Sequence, residues 1–306
     1  EQMRGLPGVT EGIRKALPEF HTRGLFPAAN LGLNRKLGGD PLPPLGEAEM
    51  QDEKFVTLLV EGLRRFYRHV IDLGFTMVNT CYPMSDDVMA AGRDLAPVYA
   101  ATSADSVVCF TRRERAVLYS SLLAVIPEFR ANIRVFSPLT SLLALSRFYG
   151  EGQRTPYACR GGIDFFFVDA SSGNTYPCGY RGKESYGKFW DLDSSRLPRD
   201  ASCMECDWEC FRDPSELLGP AVGLFARPLS TIRLLFKDPV LRRLWIEDLR
   251  YYHACGLFHG RRPPDYNRLA RFRLTHTDEF PSPMRDMRMV ASGSDAPIFG
   301  RADKIS

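Results

Sequence analysis

No apolar run in the sequence approaches the roughly 18 residues that a membrane-spanning helix requires. The opening stretch, EQMRGLPGVTEG, lacks the apolar segment of a secretion signal. Neither a Ser-His-Asp arrangement nor a Gly-rich phosphate loop can be argued from residue spacing. Charge of one sign is missing too: 40 Lys and Arg face 37 Asp and Glu, a net of +3, so overall charge selects no partner. Eight cysteines in 306 residues are too sparse for a scaffold built on disulfides. The expectation is a cytoplasmic chain without a membrane partner, in which clustered cysteines serve as metal ligands or catalytic groups. A hydrophobic content of 44% is enough for a sizeable core in one or two domains.

Charge is unevenly spread. Residues 233–273 hold ten Lys or Arg against four Asp or Glu. The run reads as a solvated helical face, and nucleic acid is not expected as a partner.

Residues 1–150 alternate helical and strand-like segments. VTEGIRKALPEFHTRG has helical spacing, with Thr10 as expected N-cap and Gly24 as stop. A long amphipathic helix is predicted from about Gln51 to Leu73, ended by Gly74. LFPAANLGL, FTMVNT and IRVFS read as strands, and SDDVMAAGRDLAPVYAAT, TRRERAVLYSSLLAVIPEF and PLTSLLALSRFYG as helices. Strands separated by long helices imply parallel pairing. Residues 151–220 lose the helical pattern and gain Gly, aromatics and cysteine; GGIDFFFVDASSGNTYPCGYRG reads as a β-hairpin. Residues 221–306 return to helix and end in a tail.

Five of the eight cysteines fall in the middle segment, as Cys159-x13-Gly173-x4-Cys178, then Cys203-x2-Cys206-x3-Cys210. A thiolate site needs about four sulfurs around one centre. The C-x2-C pair supplies two from one turn; Cys159 and Cys178 flank the hairpin and meet only if the CRGG segment bends back, which its glycines permit. The irregular spacing is unlike a ribbon of paired zinc knuckles and tilts the reading toward iron–sulfur. Cys81, Cys109 and Cys255 are expected to be packed small side chains.

The pieces CRGGIDFFFVDASSGNTYPCGYRG and CMECDWEC resemble the auxiliary-cluster region of radical SAM enzymes, the SPASM or shorter twitch domain. The resemblance implies an α/β fold: residues 1–150 as the later strands and helices of a partial (β/α)6 TIM-like barrel, 151–220 as the auxiliary domain, 221–306 as a helical extension. It implies a 4Fe–4S cluster on Cys159, Cys178, Cys203 and Cys206, with Cys210 as an alternative ligand, and electron relay as the cluster's role. It also implies S-adenosylmethionine as cofactor of the complete protein, contacted by Asn30, Asn34 and Arg35 after a barrel strand. The partners implied are an electron donor and a substrate of unknown identity, peptides being among the classes that related enzymes modify. The C-x3-C-x2-C triplet on which the family's catalysis depends does not occur in this chain. Together with the absent initiator Met, this sets the expectation of a fragment. The competing expectation is a non-catalytic zinc-binding scaffold, or a binding module, with a basic C-terminal region.

Overall fold

The computed structural model describes residues 6–37, 39, 41–45, 49–83, 96–98 and 105–274. The expected helix at 85–102 lies almost wholly outside the described residues, as does the tail beyond 274.

Helix α1 spans Val9–Thr22. Its N-cap is Gly8, in the left-handed conformation (φ 82°), so Thr10 falls inside the first turn rather than before it. Strand β1, Ala29–Gly32, alternates buried Ala29 and Leu31 with exposed Asn30 and Gly32. Helix α2, Glu49–Asp72, buries Phe55, Leu59, Leu63 and Tyr67 at four-residue spacing. Gly74, at φ 97°, turns the chain into β2, Met77–Cys81. Helix α3, Arg112–Phe129, starts from a capping box: the Thr111 hydroxyl accepts from the Glu114 N–H, and the Glu114 carboxylate accepts from the Thr111 N–H. Then come β3, Arg134–Val135, and α4, Leu139–Gly150.

The three strands pair in parallel in the order β1-β2-β3, with Ala29 opposite Val78 and Met77 opposite Arg134. The main core lies between this sheet and α2, α3 and α4. Among the described residues the sheet is open and closes no barrel. The architecture is mixed α/β, with eight helices among those residues.

The predicted hairpin is present but short, with β4 at Phe167–Val168 and β5 at Thr175–Tyr176, antiparallel. Gly173 turns it at φ 71°. Helices α5 (Glu209–Ala226), α6 (Pro228–Lys237), α7 (Pro239–Ala254) and α8 (Tyr266–Leu269) follow. The helical run predicted around residues 230–256 breaks at Asp238, because a residue before proline avoids the helical conformation. Asp238 instead caps α7, accepting from the Leu241 N–H at 2.9 Å, and pairs with Arg147 of α4. No described helix is long and apolar enough to cross a membrane.

Candidate metal centre

Cys159, Cys178, Cys203 and Cys206 meet in one small core with Tyr180, Trp208 and Phe211, flanked by Phe165 and Phe167. Backbone pairing starts the gathering: the Cys159 N–H donates to the Cys203 carbonyl at 2.8 Å, an isolated antiparallel bridge. The CRGG segment does bend back. Gly162 sits at φ +85°, and a Cβ there would lie 2.8 Å from Pro177 Cβ and from the Tyr186 hydroxyl. Cys178 follows β5 in a loop whose Tyr180 carbonyl accepts from the Ala96 N–H at 2.9 Å.

Backbone N–H groups point at the sulfurs. Gly161 donates to Cys159 Sγ at 3.4 Å. The backbone N–H groups of Tyr180 and Arg181 lower the Cys178 thiol pKa, that of Glu205 lowers Cys203 and that of Trp208 lowers Cys206. Such donors favour thiolate over thiol. Burial opposes them: it pushes Cys178 up to about 11, raises Cys203 and drives Cys206 well above the ordinary thiol value. Neighbouring cysteines add to the rise at all three. A cation bound among them would reverse it.

Arg212 supplies protein charge here. It is 1% exposed, and its electrostatic neighbours are Glu216, Cys159, Cys206 and Cys203. Nε donates to the Cys206 carbonyl (3.2 Å), and Nη1 to the Tyr157 carbonyl (2.9 Å) and Thr155 Oγ1 (3.2 Å). Among the described residues Nη2 has no acceptor. Nη1 also pairs with Glu216 at 3.4 Å, and the guanidinium lies near three of the four cysteines, where a thiolate sulfur could accept a charge-assisted hydrogen bond. The donor set, the backbone N–H groups and this orphan nitrogen fit a four-thiolate metal site. As the side chains stand, no group of three or more His, Cys, Asp or Glu among the described residues is placed so that it could hold a metal ion. The thiols are gathered, and coordination would have to draw them inward.

Cys210 lies elsewhere. It is exposed and contacts Glu209 (Sγ to Oε1, 3.9 Å), with Cys81 and Asp213 as further neighbours. Cys81 ends β2 and also bonds Glu209, so it is not the isolated packed thiol expected from sequence. Burial lifts Glu209 to about 7, although the Tyr82 N–H donates to its Oε2 at 3.3 Å. Burial and the Glu209 carboxylate push Cys81 up to about 11; Cys210, exposed as a residue but with its sulfur partly enclosed against Glu209, goes up to about 12.

Sequence reading missed Asp207, between Cys206 and Trp208. Its carboxylate accepts from Arg115 (2.6 Å) and Tyr119 (2.5 Å) of α3 and from Tyr149 (2.9 Å) of α4. This buried ion pair ties the cysteine turn to the α/β body, and only the mutual approach of distant helices reveals it. Tyr180 and Trp208 supply aromatic packing here, whereas Trp190, at 62% exposed, packs on Gly173.

At the carboxyl end of β1, Asn30 is exposed. Asn34 closes a local turn, donating to the Gly32 carbonyl and accepting from the Lys36 N–H, both at 2.9 Å. Arg35 pairs with buried Glu114, donates to the Cys109 carbonyl at 2.9 Å, and lies over the Phe110 ring. Of these three, Asn34 and Arg35 have their side chains engaged, and among the described residues no hydrogen bond engages the Asn30 side chain. Cys255 is buried beside Tyr251, as expected for a packed thiol.

Fold and site together define a mixed α/β protein with a four-cysteine cluster, three of its cysteines buried, tied to α3 and α4 through Asp207. No family model, curated protein or solved structure matches the chain.

Proposed function

We propose that Cys159, Cys178, Cys203 and Cys206 hold an auxiliary 4Fe–4S cluster, and that the chain is a portion of a radical SAM enzyme in which residues 1–150 form part of a partial (β/α)6 barrel. The observation that carries the metal reading is the convergence of four cysteines from three separate segments beside Arg212, whose Nη2 lacks an acceptor among the described residues. Bound there, such a cluster supplies one-electron transfer. The chain's own part is to provide four thiolates, donate N–H groups to them and place a guanidinium against their charge. Tyr180, Trp208 and Phe211 exclude water from the sulfurs, which with hydrogen bonding sets the potential of such a centre. Cys210 is assigned outside the ligand set, since it faces Glu209 and Cys81. S-adenosylmethionine and a substrate, a peptide among the candidates, belong to the complete enzyme.

The test is anaerobic purification with iron, sulfide and zinc analysis of the wild-type chain, Cys178→Ser and Cys210→Ser. The expected result is about four irons and four sulfides per chain, lost in Cys178→Ser and kept in Cys210→Ser. A colourless protein with one zinc and no sulfide would overturn the iron–sulfur reading and leave the zinc scaffold. A cluster lost equally in Cys210→Ser would overturn the ligand assignment.

A further inference from the structure

The basic run of residues 233–273 is largely solvent-exposed, as expected. The fold gathers much of it around one cleft of about 1160 Å³, where α7 meets the turns of residues 268–274. Arg243, Arg250 and His253 line it from α7, and Arg268, Arg271 and Arg273 from the opposite wall. The acid in the lining, Glu247, is paired with Arg130 at 3.4 Å. Arg268 pairs with Asp265 at 3.2 Å. Among the described residues no ion pair engages Arg250, Arg271 or Arg273. Five guanidiniums brought together cost self-repulsion that a compensating anion would remove. Between the charges the lining is apolar, with Ile246, Leu249, Phe272 and Leu274.

We propose that this cleft binds an acidic peptide segment that also carries apolar side chains. Charge complementarity selects an anion, and the planar guanidinium fork matches carboxylates in pairs. The apolar lining selects against a ligand made of phosphates alone. Single-stranded nucleic acid would need aromatic faces for its bases. The aromatic ring in the lining, Phe272, is instead engaged edge-to-face with Tyr251, with centroids 5.0 Å apart. The exposed arginines along the cleft suit an extended chain rather than an enclosed small molecule. This inference stands apart from the cysteine centre and survives whichever metal that centre holds.

The experiment is fluorescence anisotropy of the full chain with a labelled peptide alternating Glu with Leu and Phe. The comparison probes are the same peptide with Gln for Glu and an oligothymidine of similar length. The variant is the double charge reversal R250E/R271E, at two exposed positions, checked for an unchanged circular dichroism spectrum and melting temperature. Saturable binding of the acidic peptide is expected, weakened about tenfold in the variant and by raising salt, with both comparison probes weaker. The proposal is overturned if the acidic peptide does not bind, if R250E/R271E binds it as well as wild type, or if oligothymidine binds more tightly.

Discussion

Glu209 sits where the carboxyl end of β2 meets the first turn of α5, with the thiols of Cys81 and Cys210 against it. A helix N-terminus favours a carboxylate, yet burial outweighs that and holds its pKa near 7. An acid whose folded value lies above its unfolded value keeps its proton longer in the native state. Its effect on stability is therefore absent below the unfolded value of 4.5, and stability falls as pH rises from there toward 7. Glu209→Gln should flatten that fall. Its melting temperature should match wild type near pH 5 and exceed it near pH 8, by an amount equivalent to at most about 3 kcal/mol. Parallel pH dependences in the two proteins would show that Glu209 is already ionised when folded.

At the scale of elements, local chemistry decided starts and stops. The Thr111–Glu114 capping box sets the start of α3, and the Glu114 carboxylate also accepts from Arg35 and from the Leu45 N–H. Thr111→Ala removes the hydroxyl acceptor from an exposed cap and should cost about 1 kcal/mol in denaturant unfolding. Loss of less than a few tenths would mean that Glu114 alone holds the helix start. The α6–α7 break belongs to this scale as well. Pro239 and the Asp238 cap are both plain in the sequence, and the helical periodicity on either side hid them. Thr10 shows the opposite failure: a favoured cap residue was displaced because Gly8 could adopt the left-handed turn two residues earlier.

For the whole molecule, Asp207 is the clamp between two cores. Arg115 is fully buried, and losing its charged partner leaves a cation without compensation. Asp207→Asn should lower stability by about 3 kcal/mol. Hydrogen exchange of residues 203–210 should rise more than that of α2, since the cysteine turn is released first. Uniform loss of protection, with no bias to the turn, would show one cooperative unit rather than a clamped attachment. Helices α2, α3 and α4, the three parallel strands and the hairpin were all legible, because each carries its own periodicity or turn residue. The four cysteines were legible as a set from their spacing. Their separation from Cys210 was not, since Cys206 and Cys210 are only one helical turn apart along the chain. They diverge because Cys206 precedes α5 and turns into the small core, whereas Cys210 lies in its first turn and faces β2.

The sequence by itself determined which residues could become helix, strand or ligand, because periodicity, caps and thiol chemistry act over a few neighbouring positions. Tertiary structure decided which of them meet. Asp207 found Arg115, Arg212 came to lie beside the cysteines, Arg35 was taken up by Glu114, and a run of arginines became one cleft. The physical reason is that burial and charge compensation depend on groups far apart in the chain, whose approach no local pattern encodes.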